Sequence, residues 1–249
     1  MVMSITKNEI KTIKSLYSKK FRDETGNFIV EGEKLVSEAV NSNFVIEKIY
    51  RKDEIGDEQM ARISHLTTPS PVLAIVRKPK PQNEEDIIKI IGNKGLFLFL
   101  DSIRDPGNLG TIIRIADWFG IKAIFASEDT VDRFNPKTVQ ATMGAIFRVD
   151  FHYCDLKFIA NAIITAGGKV YGTFLDGENL YTKPLATGKD CPVAIVIGNE
   201  ANGISTEIAS IVNERLLIPT FATGTAGSES LNAAVAAGIT IAEFRRRLG

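Results

Sequence analysis

The chain is poor in the residues from which several kinds of site are built. Its 249 residues include two Cys, two His and one Trp. Cys154 and Cys191 lie far apart in sequence and build neither a disulfide framework nor a Cys-rich metal site. His65 and His152 have no Cys, Asp or second His at metal-ligand spacing, so no zinc or other metal is expected. No stretch approaches the roughly 18 consecutive apolar residues of a membrane-spanning helix. The first residues, MVMSITKNEIKTIK, are polar and lack an apolar run with a small-residue cleavage site. A soluble, cytoplasmic protein with no membrane partner is therefore expected. There is no G-x-S-x-G elbow and no G-x-x-x-x-G-K-[ST] loop, which argues against an α/β-hydrolase and a P-loop NTPase.

Excess charge of either sign is also missing, with 30 basic against 30 acidic residues, but the balance is uneven along the chain. Residues 1–22 hold Lys7, Lys11, Lys14, Lys19, Lys20 and Arg22 against only Glu9. Further clusters are Arg77, Lys78 and Lys80, and then Arg245, Arg246 and Arg247. Local patches, rather than the total, set the field that a phosphate backbone meets. Any one cluster alone is better read as a solvated helix face, a reading that three clusters together weaken but do not defeat.

A 44% apolar content over this length supports a sizeable core in one or two domains. The stretch Arg77–Asp86, RKPKPQNEED, is dense in charge and proline and reads as a linker. We expect a first domain over residues 1–78, a linker over 79–94 and a larger domain over 95–249. The first alternates helices, one through Ile10, Ile13, Leu16 and Tyr17, with short strands, as in a small α/β or α+β domain. The second reads as an α/β fold whose mostly parallel sheet is covered by helices on both faces. Its strands are expected at Leu96–Leu100, Lys122–Ala126, Ile146–Asp150, Lys169–Leu175, Val193–Ile197 and Leu216–Ile218. A long terminal helix is expected over Leu231–Leu248.

Open α/β sheets bind ligands beyond the carboxyl ends of their strands, and three such ends are unusual. Asp101–Arg114 has a Pro106-Gly107 turn, Asn108 as a candidate cap, and Arg114 about 140° around the helix from Leu109, off the buried stripe. Val193–Gly203 ends its strand in Gly198, with Glu200 and Gly203 close behind. Leu216–Ala236 breaks at Pro219 and runs through small residues to Ser230-Leu231-Asn232. Taken singly, each has a plain reading: Asn108 or Ser230 as a cap, Arg114 as a solvated side chain, the glycines as turn formers. Neither glycine-rich turn carries the G-x-G-x-x-G fingerprint, which disfavours a nicotinamide-dependent dehydrogenase.

Together and in order, the three segments resemble the signature of the SpoU (TrmH-type) RNA 2′-O-ribose methyltransferases of the SPOUT superfamily. The resemblance lies in N-x-G-x-x-x-R at Asn108, Gly110 and Arg114. It continues in I-G-x-E-x-x-G at Ile197, Gly198, Glu200 and Gly203, then Ile218-Pro219, then S-L-N at Ser230, Leu231 and Asn232, and spans residues 95–249. More loosely, Phe28–Val40 (FIVEGEKLVSEAV) resembles the L30e-like RNA substrate-binding domain of many members. The resemblance implies S-adenosylmethionine (SAM) as methyl donor, a ribose 2′-hydroxyl of structured RNA as acceptor, a homodimer and a C-terminal trefoil knot. It places the catalytic arginine at Arg114, supported by Asn108, Glu200, Ser230 and Asn232, and cofactor contacts at Gly198, Ile218, Leu231 and Thr173. A guanidinium stays protonated in water, so Arg114 is expected to orient the hydroxyl and stabilise developing charge rather than act as a base. The ribosomal-protein likeness of the first domain favours rRNA over tRNA. Two departures concern the cofactor loop: Ala233-Ala234 replaces the usual Val-Ser, and Thr220–Glu229 is longer than usual. The competing reading is a non-catalytic RNA-binding or ribosome-assembly protein on the same fold, against which stand Arg114, Glu200 and Asn232.

Overall fold

The computed structural model describes residues 5–92, 94–221 and 230–248. Its first elements are α1 (Lys7–Ser15), α2 (Lys19–Thr25), β1 (Asn27–Glu31), α3 (Glu33–Val40), β2 (Ile46–Arg51), α4 (Lys52–Ile55), α5 (Asp57–Ile63) and β3 (Val72–Arg77). There follow α6 (Glu84–Gly92), β4 (Gly95–Leu100), α7 (Pro106–Trp118), β5 (Ile124–Ala126), α8 (Pro136–Thr142), β6 (Phe151–Tyr153) and α9 (Leu156–Thr165). The remainder are β7 (Lys169–Asn179), β8 (Pro192–Ile197), α10 (Thr206–Ala209), β9 (Glu214–Leu217) and α11 (Ala233–Arg246). They form two compact units, Met1–Lys80 with Asp132–Arg148, and Pro81–Val131 with Val149–Gly249.

The first unit is built on a three-stranded sheet in the order β1-β3-β2, with both pairings antiparallel. It is thus the α+β arrangement of the two that the spacing allowed. Helix α1 opens with a capping box: Glu9 N–H donates to Thr6 Oγ1 at 3.2 Å, and Thr6 N–H to Glu9 Oε2 at 3.0 Å. One face of central strand β3, Leu73 and Ile75, packs with Ile13, Leu16, Met60 and Ile63. The other, Val72, Ala74 and Val76, packs with Phe28, Val30, Leu35, Val36, Phe134, Val139 and Ile146.

That second cluster explains why Asp132–Arg148, expected in the larger domain, belongs to the first unit. Phe134 lies 4.5 Å from Phe28, ring centre to ring centre, and Val139 and Ile146 complete the same face. The expected strand Ile146–Asp150 is instead a 3-10 turn at Ala145–Phe147, entered through Gly144 at φ +98°, and the strand forms later, at Phe151–Tyr153. The composition of Ala145–Phe147 suits a strand, but burying Ile146 against the first sheet decides otherwise. The expected linker likewise gives way to α6, whose Ile87 and Ile91, one turn apart, enter the second core.

The second unit has a six-stranded parallel sheet in the order β6-β5-β4-β8-β7-β9. Strands β4 and β8 are central, and Leu96–Leu100 and every residue of β8 are buried, which is why both read as unbroken apolar runs. Phe97, Phe99, Phe125, Ala194 and Val196 face α6 and α9. Alternate residues face the other side, where α11 packs on β8 and α7, and Tyr171 meets Phe244 at 5.0 Å. From β4 the chain builds outward through β5 and β6, then returns on the far side through β7 and β8. The order reverses between β4 and β8, and a crevice at such a reversal is where ligands bind in open parallel sheets.

The terminal arginines serve this unit internally. Arg245 donates to the carbonyls of Phe119 and Gly120, and Arg247 to those of Leu180, Tyr181 and Lys183. Arg246 and Arg247 both pair with Glu243. In the first unit Arg22 is 1% exposed, with its guanidinium on Asp132 at 2.7 Å and on the Leu16 carbonyl at 2.9 Å. Arg245, Arg247 and Arg22 are therefore not the open basic surface that composition allowed; Arg246, Lys7, Lys11, Lys14, Lys19 and Lys20 are exposed.

Candidate active site at the ends of strands β4 and β8

Strand β4 delivers Asp101, 3% exposed, whose carboxylate accepts from Ser205 N–H at 2.7 Å. Ser102 follows at φ +60°, a left-handed conformation that L residues seldom adopt. It is held by its N–H on Ser127 Oγ and its hydroxyl on Asp129, which also takes Arg104 at 2.6 Å. Hydrogen bonds from Ser102 and Ser127 hold the Asp129 carboxyl below the usual range. The N-cap of α7 is Asp105, accepting from Asn108 N–H at 2.7 Å, with Pro106 in the first turn. This corrects the expectation that Asn108 caps the helix. Asp-Pro at a helix start was the available signal. Moving the cap to Asp105 frees the Asn108 side chain.

Beyond β8, Gly198 is required by the chain's own return. A Cβ there would lie 2.3 Å from the Gly203 carbonyl carbon and the Ile204 nitrogen. Asn199 and Gly203 exchange two backbone hydrogen bonds of 2.9 Å. The Asn199 carboxamide accepts from Ala201 and Asn202 N–H and donates to the Ser102 carbonyl at 2.7 Å. Asn199 therefore ties the loop after β8 to the loop after β4. Its partner is 97 residues distant, and nothing local in the sequence marks that role.

These loops present Glu200 to α7. Glu200 Oε1 accepts from Asn108 Nδ2 at 2.9 Å and from Asp105 N–H at 3.4 Å, and Oε2 accepts from Arg104 N–H at 3.3 Å. Asn108 Oδ1 accepts from Asn232 Nδ2 at 2.8 Å. Asn232 is the N-cap of α11, its own Oδ1 taking Ala234 and Val235 N–H. The result is a directed relay from the α11 cap to the carboxylate, which fixes how both amides face. Each carboxamide nitrogen spends one N–H in the relay and keeps a second. Burial works to raise the Glu200 carboxyl, but the bonds from Asn108 and the backbone outweigh it and hold the group below its ordinary value. Glu200 is therefore an ionised acceptor at neutral pH.

Three of the five expected catalytic residues, Asn108, Glu200 and Asn232, are thus joined. Ser230 lies exposed two residues before the α11 cap, a role taken by Asn232. Arg114 is exposed on α7, six residues or about 9 Å along the axis from Asn108, and bonds to none of the trio. Of the expected cofactor residues, Gly198 follows β8, Thr173 lies in adjacent β7, and Ile218 follows β9, the next strand out. Leu231, 47% exposed, precedes the Asn232 cap. The Thr173 hydroxyl donates to the Val196 carbonyl at 3.4 Å. Most of the long Thr220–Glu229 loop lies outside the described residues. Among the described residues no group of three or more His, Cys, Asp or Glu is arranged to hold a metal ion, and no helix is long and apolar enough to cross a membrane.

The chain is similar to known proteins in sequence and in fold. Residues 7–69 match the MRM3-like substrate binding domain. A putative RNA methyltransferase of the TrmH family from Porphyromonas gingivalis superposes with a TM-score of 0.86 at 35% identity, covering 98% of this chain and 100% of that one. An AdoMet-bound rRNA methyltransferase from Sinorhizobium meliloti superposes with a TM-score of 0.86 at 31% identity, covering 100% and 98%. The Bacillus subtilis 23S rRNA (guanosine(2553)-2′-O)-methyltransferase RlmP is 29% identical over 98% of both chains. Residues 95–242 match the SpoU rRNA Methylase family, and the chain belongs to it.

Proposed function

We propose that this protein is a SAM-dependent methyltransferase acting on a ribose 2′-hydroxyl of structured RNA, rRNA in preference to tRNA, in the cytoplasm and as a homodimer. The relay Glu200–Asn108–Asn232 carries the reading: a family motif assembled into a rigid donor array at the sheet's reversal point. The rRNA preference is supported by relatives named as rRNA methyltransferases. Family membership also supports a C-terminal trefoil knot.

The strand ends fit SAM by the chemistry of their surface. Half-buried Ile218 and exposed Leu231 offer an apolar seat for an adenine, Gly198 and Thr173 offer backbone and hydroxyl groups, and the relay offers spare amide N–H donors. When bound, SAM supplies a methyl group on a sulfonium, open to attack by an oxygen. The chain's own part is to place that oxygen. Ionised Glu200 aligns Asn108, Asn108 aligns Asn232, and the free N–H groups hold polar atoms without reorganising. Arg114 orients the hydroxyl, binds the neighbouring phosphate and stabilises charge developing on the ribose oxygen.

Dimerisation is supported by apolar side chains left open on α7 and α11, with Trp118 84% and Val235 49% exposed. The deciding experiment transfers a labelled methyl group from SAM to total RNA from cells lacking the protein, followed by nucleoside analysis. Label in a 2′-O-methylnucleoside of the rRNA fraction, lost with Arg114→Ala, is the expected result. SAM binding with no label in any RNA would favour the non-catalytic RNA-binding alternative. Label on a base would overturn the assigned chemistry.

A further inference from the structure

Within the first unit, a groove of about 450 Å³ lies beside the carboxyl end of β1, an edge strand of its sheet. Tyr17, Glu31, His65, Leu66, Lys137 and Gln140 are among its lining. The Tyr17 and His65 rings stack at 4.5 Å and 24°, and the Tyr17 hydroxyl is anchored on the Ile63 carbonyl at 2.6 Å. Tyr17 covers one imidazole face, and His65 is exposed. Glu31, 4% exposed, accepts from the Ser64 hydroxyl and from the N–H groups of His65 and Ser70. Gln140 donates to the Glu31 carbonyl at 2.6 Å, which leaves its amide oxygen and a second N–H. Lys137 is exposed at the rim.

We propose that this groove takes an unpaired nucleobase of the RNA substrate, stacked on His65, with Gln140 reading its edge and Lys137 meeting its phosphate. An anchored aromatic platform, an amide with a free donor and acceptor, and a cation outside are the parts used to hold single-stranded bases. A peptide strand added to the β1 edge fits less well, because Gln140 already occupies the Glu31 carbonyl at the groove. Exposed lysines on α1 and α2 of the same unit favour a polyanion. The proposal rests on the RNA reading above, and the two are separable by experiment.

The full-length protein is titrated into short fluorescein-labelled oligo(A), oligo(G), oligo(C) and oligo(U), with duplex RNA of equal length as competitor. His65→Ala weakens binding of at least one oligomer about tenfold, within the range for losing one base stack, while His65→Phe restores it. Lys137→Gln lowers the slope of log affinity against log salt by about 0.7, one phosphate contact on a single strand. Thermal melts and SAM binding of each variant check the fold. Unchanged oligomer binding by His65→Ala, in a protein that still methylates RNA, overturns the groove and leaves the activity standing, whether the groove then takes a peptide strand or nothing. Duplex RNA competing as well as single strands also overturns it. Absence of methyl transfer by the wild type, with His65-dependent oligomer binding intact, sinks the enzyme reading and leaves the groove.

Discussion

Two carboxylates stand at strand ends, Glu31 as the last residue of β1 in the first unit and Glu200 beyond β8 in the second, and both are stabilised by neutral donors. Glu31 takes a hydroxyl and two backbone N–H groups. Glu200 takes two backbone N–H groups and the Asn108 amide. The difference lies in what the donors have left. The Ser64 hydroxyl that serves Glu31 also accepts from Leu66 N–H at 3.1 Å, which closes that turn on itself. Asn108 keeps an N–H and passes alignment on to Asn232. One carboxylate organises a fold element and the other orients an open array, from the same residue type. Asp132 is a third solution, buried against a guanidinium.

The largest effect expected is on that third carboxylate. Arg22→Ala leaves the Asp132 charge uncompensated and lowers stability by about 3–5 kcal/mol, read by urea unfolding. A much smaller loss would mean that neutral donors serve a buried carboxylate as well as a cation does. Next, Asn108→Ala lowers kcat by about 10²–10³-fold, the scale for one preorganised donor, with a smaller change in stability. If stability falls and kcat holds, the Glu200 relay is structural, like that of Glu31. Glu31→Ala strands the N–H groups of His65 and Ser70 and costs about 1–3 kcal/mol, measured by the same unfolding. Val235→Lys raises the dissociation constant of the proposed dimer at least tenfold, roughly 1.4 kcal/mol, by sedimentation across protein concentrations.

The smallest effect is a pH dependence. Bonds from Arg246, outweighing partial burial and aided by Arg247, hold Glu243 at about 2 against an ordinary 4.5. A depressed folded value gives stability that is fully present above about pH 4.5 and lost as pH falls towards 2. The stability difference between wild type and Glu243→Gln is therefore flat above about pH 4.5 and shrinks below it. Glu200 shifts in the same direction, so its relay also weakens on acidification rather than at alkaline pH.

Much of the second unit was legible because its signals are local. Leu96–Leu100 and Val193–Ile197 read as strands since burial on both faces leaves a continuous apolar run. Asn108, Glu200 and Asn232 stood out only as an ordered set. The proline-rich stretch hid α6, whose two core isoleucines lie beyond the prolines. Asn199 and Asp101 escaped notice because each works through a partner that no sequence window contains, whereas Asp105 caps a residue three positions on and carried a local signal in Asp-Pro.

By itself, the sequence determined the parallel sheet, the placing of three polar segments at strand ends, and the family, since apolar period, strand length and motif order are properties of neighbouring residues. Tertiary structure alone decided that Asp132–Arg148 completes the first core, that Arg245 and Arg247 clamp carbonyls, and that the Asn108 side chain meets Glu200. Those outcomes turn on which distant group meets each donor. Asn108 and Glu200 are 92 residues apart, Asn108 and Asn232 124, and only the reversal of strand order between β4 and β8 brings them within a hydrogen bond.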